Sequence, residues 1–222
     1  MILVARPTYE IQVRYVAAYL GQAVQELRRL GYRVTDLEGS QATADIFLDY
    51  LPQADYAVAL GHGRDDTLTL TDYEPAITLS NAGVLAGKTF YAVSCRTARQ
   101  LGRVAAENGC TYIGCNEDFV FLAQSPPLQN PLRDTLASRF LTPLVKIAVW
   151  IPVLGPREAV EKGRAMFLNN MKEALDRGET EAAKWLYWDA NALTLVEPTE
   201  SWAGIAVLAA STALIIYAAA KK

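Results

Sequence analysis

Histidine is almost missing from this chain. Among 222 residues there is one, His62, and cysteine is nearly as scarce, at Cys95, Cys110 and Cys115. So few soft ligands do not supply a typical structural zinc site. An odd number of cysteines along an α/β pattern also argues against a disulfide framework and for reducing surroundings, with at least one thiol free. Clustered positive charge is missing too: the net charge is −3 and the basic residues are scattered. A nucleic-acid partner, whose footprint is a stripe of Lys and Arg, is therefore not expected. No glycine-rich loop succeeds the first apolar run, where ARPTYE stands instead, which disfavours a nucleotide-binding fold. The opening MILVARP is too short for the apolar region of a signal peptide, and Arg6 and Glu10 interrupt the run. Internal repeats are lacking, and the one low-complexity tract is the alanine-rich tail.

One long uncharged run is present. SWAGIAVLAASTALIIYAAA, residues 201–220, carries no charge and is followed by two lysines. As a helix at about 1.5 Å per residue it would span about 30 Å, one hydrocarbon thickness. Trp202 at one end and Lys221 and Lys222 at the other suit interfacial positions. The division expected is an α/β domain over 1–198 and a C-terminal membrane-anchor helix over 199–222. That places the protein at a membrane by a single pass, with the domain on the cytoplasmic side. Burial of the same helix in a larger assembly is the alternative.

Before the tail, apolar strands alternate with helical patterns. MILVA reads as a buried strand, Tyr9 to Leu30 as a helix stopped by Gly31, and YRVTDLEG as a second strand. A short helix over Thr43–Leu51 leads to YAVAL, the third strand. Residues 64–79 read as a small hairpin or loop. TFYAVS is the fourth strand, followed by a helix over Ala98–Asn108, and CTYIGC is the fifth. SPPLQNP is a loop by composition. Phe140 to Gly155 is apolar but broken by Lys146 and two prolines, and reads as a buried or membrane-facing helical piece. An amphipathic helix from Pro156 to Gly178 and a sixth strand within ANALTLVEP complete the pattern. Such alternation predicts a mostly parallel sheet with helices on both faces. In such sheets ligands bind beyond the carboxyl ends of the strands.

Two of those ends carry chemistry. YAVAL stops at Gly61-His62-Gly63, and TFYAV stops at Ser94-Cys95. If the two strands are neighbours, imidazole and thiol face each other at the sheet edge. A cysteine attacks as thiolate, and a nearby imidazole can take its proton and return one to the leaving group. With His62 opposite, Arg96 adjacent and a helix starting beyond it, the Cys95 thiol is expected to have a lowered pKa. Gly63 lets a substrate carbonyl approach the backbone, so its amide and that of Cys95 form a candidate oxyanion pair. Cys110 and Cys115, around the fifth strand, read as core.

The blocks LRRLGYRV, ADYAVALGHG, AGKTFYAVSCRTARQLG and ENGCTYIG, in that order, resemble the caspase-like cysteine peptidases, especially the CHAT and gingipain/clostripain branch. LGPREAVEKG and DANALTLVEP are similar to a later helix and the final strand of that family, without its frequent closing Gly-Asp-Pro. The resemblance implies a three-layer caspase-like α/β fold and a cysteine endopeptidase working on a protein or peptide substrate without a cofactor or metal. His62 would be the general base and acid and Cys95 the nucleophile. It also implies a charged pocket reading the residue before the scissile bond. Asp118, Asp65 and Asp66 are the candidates for a basic residue there, and Arg96 for an acidic one. The competing expectation is a caspase-like scaffold or structural subunit, inserted into a membrane or larger assembly through its C-terminal helix.

Overall fold

The computed structural model describes residues 1–198, so the run at 201–220 lies outside the described residues. Ile2–Arg6 forms β1, all five residues buried, and Ile11–Arg29 forms α1. Helix α1 ends on Arg28 and Arg29, and Gly31 takes a φ of +88° that favours glycine. Then come β2 (Val34–Glu38), α2 (Ala44–Tyr50) and β3 (Tyr56–Leu60). Residues 67–78 make the expected hairpin, β4 (Thr67–Thr69) against β5 (Pro75–Thr78). β6 (Thr89–Val93), α3 (Leu101–Glu107) and β7 (Thr111–Cys115) continue the alternation. Three helices come after them, α4 (Thr135–Leu154), α5 (Pro156–Asp176) and α6 (Thr180–Ala192), and β8 (Leu193–Val196) is the last strand.

Among the described residues the main sheet has six strands in the order β2-β1-β3-β6-β7-β8. All pairings are parallel except the last, where β8 runs antiparallel to β7. The fold is therefore α/β with a mostly parallel central sheet. Its inner strands β1, β3, β6 and β7 are buried on both faces, so alternate residues feed two cores. Val4, Val58, Tyr91 and Ile113 point into a core shared with α1, α4, α5 and α6. Leu3, Ala57, Phe90 and Tyr112 point into the other, shared with α2, α3 and the hairpin.

Two segments depart from expectation. Helix α4 begins at Thr135, ahead of the apolar stretch, because the buried Asp134 carboxylate accepts the Leu136 and Ala137 amides and caps it. It runs on through Pro143 and Pro152. Among the described residues α4 alone is long and apolar enough to cross a membrane, yet 56% of its apolar window is buried inside the domain, where it packs on α1 and α5. It serves as a core helix. Helix α6 has no counterpart in the sequence pattern, and it braces the wall of the cleft that holds Cys95.

Candidate active site

Strands β3 and β6 are adjacent and in register, Leu60 opposite Val93. His62 and Cys95 each stand two residues beyond those ends, and both line one cleft. The juxtaposition comes from parallel pairing alone. Glycines on either side of His62 permit it. A Cβ at Gly61 would lie 1.7 Å from the Thr69 carbonyl oxygen, and one at Gly63 would lie 2.2 Å from that of Cys95. The histidine turn is thus pressed between the β4 hairpin and the cysteine turn.

His62 does not stand alone. Its Nε2 meets Oε1 of Glu10, the residue immediately before α1. The other carboxylate oxygen accepts the Tyr73 hydroxyl at 2.8 Å. The Tyr73 ring stacks on the imidazole at 5.1 Å between centroids and 4° between planes. Tyr73 holds this position with a φ of +62°, a backbone conformation uncommon outside glycine. Tyr9 packs against both rings. Burial, and next the Glu10 charge, push its hydroxyl up to about 12. In the sequence Glu10 is legible only as a charge interrupting the N-terminal run. Its role arises because β1 lies beside β3, which brings the loop after β1 to the end of β3.

The cysteine turn is sewn to the exit of β7. The Arg96 amide donates to the Glu117 carbonyl at 3.1 Å and the Ala98 amide to that of Cys115 at 3.0 Å. Arg96 sits at φ +57°, a second left-handed non-glycine residue at this site. Such conformations persist where surrounding structure holds them, and they cluster at functional sites. Helix α3 starts only at Leu101, with a turn between it and Cys95. The helix end expected to lower the thiol pKa is therefore not at the sulfur. Burial instead pushes the Cys95 thiol up, and its Sγ lies 4.0 Å from the Phe119 carbonyl oxygen, a weak acceptor contact. Neither the Gly63 nor the Cys95 amide has a hydrogen-bond acceptor among the described residues.

Of the residues expected to read substrate charge, three pair with one another. Arg96 Nε lies 3.1 Å from Asp118 Oδ1 and 3.9 Å from Asp65 Oδ1. Asp65 also faces Arg99 at 3.7 Å, and Arg99 binds Glu117 at 2.5 Å. Asp66 stands apart from these pairs, and its carboxylate accepts the Thr67 hydroxyl at 3.1 Å. Cys110 and Cys115 are buried, as expected of core residues.

The stretch after β7 forms the wall facing Cys95, and α6 fixes it by two consecutive residues. The Trp188 indole donates to the Asp118 carbonyl at 2.7 Å, and Asp189 accepts the Val120 amide at 3.0 Å. Asp189 is 1% exposed, and its Oδ2 has no partner among the described residues. Burial raises its carboxyl well above the usual range. No cluster of three or more His, Cys, Asp or Glu side chains suited to a metal occurs among the described residues. The arrangement brings a thiol and an imidazole backed by a carboxylate into one cleft, with Gly63 on the turn packed against Cys95. Compared with known proteins, the chain matches no family model and no curated protein.

Proposed function

We propose that this domain is a caspase-like cysteine endopeptidase, acting through His62 and Cys95 on a protein or peptide substrate. The observation that carries the reading is the meeting of the two residues in one cleft, beside two amides without acceptors among the described residues. Helices on both faces of the sheet agree with the three-layer architecture that the sequence resembles.

The raised thiol sets the order of events. Cys95 rests as a neutral thiol, so His62 takes its proton as the sulfur attacks the scissile carbonyl carbon. The carbonyl oxygen gains negative charge and is held by the Gly63 and Cys95 amides. Collapse breaks the carbon–nitrogen bond, and the proton on His62 goes to the departing amine. Water, losing a proton to the imidazole, then attacks the thioester carbon; the carbon–sulfur bond breaks, the acid departs and the sulfur takes the proton back from His62. Glu10 fixes the ring and offsets the positive charge that forms on it twice in each cycle.

Residues 201–220 would tether the domain to a membrane, with catalysis on the cytoplasmic side. Fractionation of cells expressing the full chain and a chain ending at residue 200 tests this. The full chain should pellet with membranes and the shorter one should not.

A scaffold reading draws support from one fact, that burial disfavours the Cys95 thiolate. One experiment separates the two readings. A complex peptide mixture is incubated with the wild type and with Cys95→Ala, and new termini are identified by mass spectrometry. The peptidase reading expects cleavages that vanish in the variant. Identical termini from both proteins leave the scaffold.

A further inference from the structure

Resting on that reading, we infer that the enzyme takes an apolar side chain, not a charged one, on the acyl side of the scissile bond. Two clefts meet at the site, and they share the catalytic pair unequally. The smaller, about 280 Å³, has both His62 and Cys95 in its wall. The larger, about 520 Å³, includes His62 but not Cys95.

Chemistry assigns them. In the thioester the acyl group is bonded to Cys95 Sγ, so the residue that carried the scissile carbonyl lies in the cleft that contains the sulfur. The departing amine takes its proton from His62, so the residues after the bond leave through the cleft that has the imidazole alone. The acyl-side cleft is walled by Val13, Val16, Phe119 and Phe121, and apart from the catalytic pair its polar side chains are Gln12 and Ser94. No carboxylate, lysine or arginine among the described residues lines it. The leaving side is polar, with Arg64, Asp66 and Arg96.

Three of the four charges that would read a charged residue are already engaged, and the fourth, Asp66, lines the other cleft. Asp65, Asp118 and Arg96 face one another in ion pairs. A charged side chain entering the apolar cleft loses water and finds no partner, whereas an aliphatic or aromatic one gains by burial. A difference of one methylene in an apolar pocket is worth about 10–200-fold in kcat/KM, so discrimination against charge should reach about 100-fold or more.

The test uses the full chain in detergent and a set of coumarin-amide peptides differing only in the residue before the coumarin: Leu, Phe, Ala, Lys, Arg, Asp and Glu. Cys95→Ala serves as the blank. Leu or Phe is expected to exceed every charged residue by about 100-fold in kcat/KM. A second variant, Gln12→Glu, places a carboxylate at the mouth of the cleft on an exposed position in the first turn of α1. It should raise hydrolysis after Lys and Arg about tenfold relative to Leu. Best hydrolysis after a charged residue, lost in Cys95→Ala, overturns the inference while the peptidase reading stands. An unchanged Lys-to-Leu ratio in Gln12→Glu also overturns it, because the acyl side chain then lies elsewhere. Absence of Cys95-dependent hydrolysis with any member overturns both.

Discussion

Glu10 and His62, 52 residues apart in the chain, meet through Oε1 and Nε2 at the mouth of the sheet. The contact engages Nε2, so Nδ1 is the nitrogen that the proposed mechanism assigns to the thiol. Because Tyr73 binds the second oxygen of the same carboxylate, the ring is clamped from its edge and from its face. Glu10→Gln keeps the shape and removes the charge. It should lower kcat about 100-fold with little change in KM, as expected when a general base loses its supporting charge. Glu10→Asp should restore part of the loss. Thermal melts of both variants should match the wild type, since Glu10 makes no side-chain cap to α1. Equal kcat in wild type and Glu10→Gln would remove Glu10 from the mechanism.

Burial pushes the Cys95 thiol up, so little of it is thiolate at neutral pH. Alkylation by iodoacetamide should therefore climb by about tenfold per pH unit through the neutral and mildly alkaline range. Cys95 should still react before Cys110 and Cys115, which are 0% and 6% exposed. A rate that levels off near pH 6 would mean a preformed thiolate–imidazolium pair. Peptide mapping after timed alkylation reads both results.

Asp189 carries a pKa raised by burial, and that direction sets the sign of its effect on stability. A carboxyl with a raised folded-state pKa contributes stability that is complete below the unfolded value of 3.8 and is lost as pH rises toward the folded value. Asp189→Asn offers the same acceptor to Val120 without a charge. It should melt higher than the wild type at pH 7, each kcal/mol gained being worth about 2–4 °C, and the gap should close near pH 3.5. Asp189→Leu leaves the Val120 amide unpaired and should cost about 1–3 kcal/mol. It should also slow hydrolysis, because the wall facing Cys95 loses its anchor. A lower melting temperature for Asp189→Asn at pH 7 would show that the buried acid is ionised.

The strands and the meeting of His62 with Cys95 are legible in the sequence because apolar runs punctuated by glycine define parallel strands, and parallel register does the rest. Glu10 is not, because no local pattern marks a residue whose importance comes from the adjacency of β1 and β3. Helix α6 is hidden for a different reason. It buries Ala182, Ala183, Leu186, Asp189 and Ala190, small residues and an acid, while Tyr187 and Trp188 face outward. Its apolar periodicity is weak, and the interactions that make it matter are a hydrogen bond from an indole and one to a buried carboxyl. The substrate-reading role expected of Asp65, Asp118 and Arg96 depends on side-chain pairing that the sequence does not encode locally. The folded chain sets them against each other.

Whether Cys95 is the nucleophile and His62 its base can be read from a single covalent bond. The full chain is treated with a peptidyl acyloxymethyl ketone bearing leucine beside the ketone, and the adduct is mapped by mass spectrometry in the wild type, His62→Ala and Cys95→Ala. The predicted result is one adduct, on Cys95, formed in the wild type, at least about 100-fold slower in His62→Ala, and absent from Cys95→Ala. Labelling of Cys95 at the same rate with and without His62, or no labelling of Cys95 at all, would contradict it.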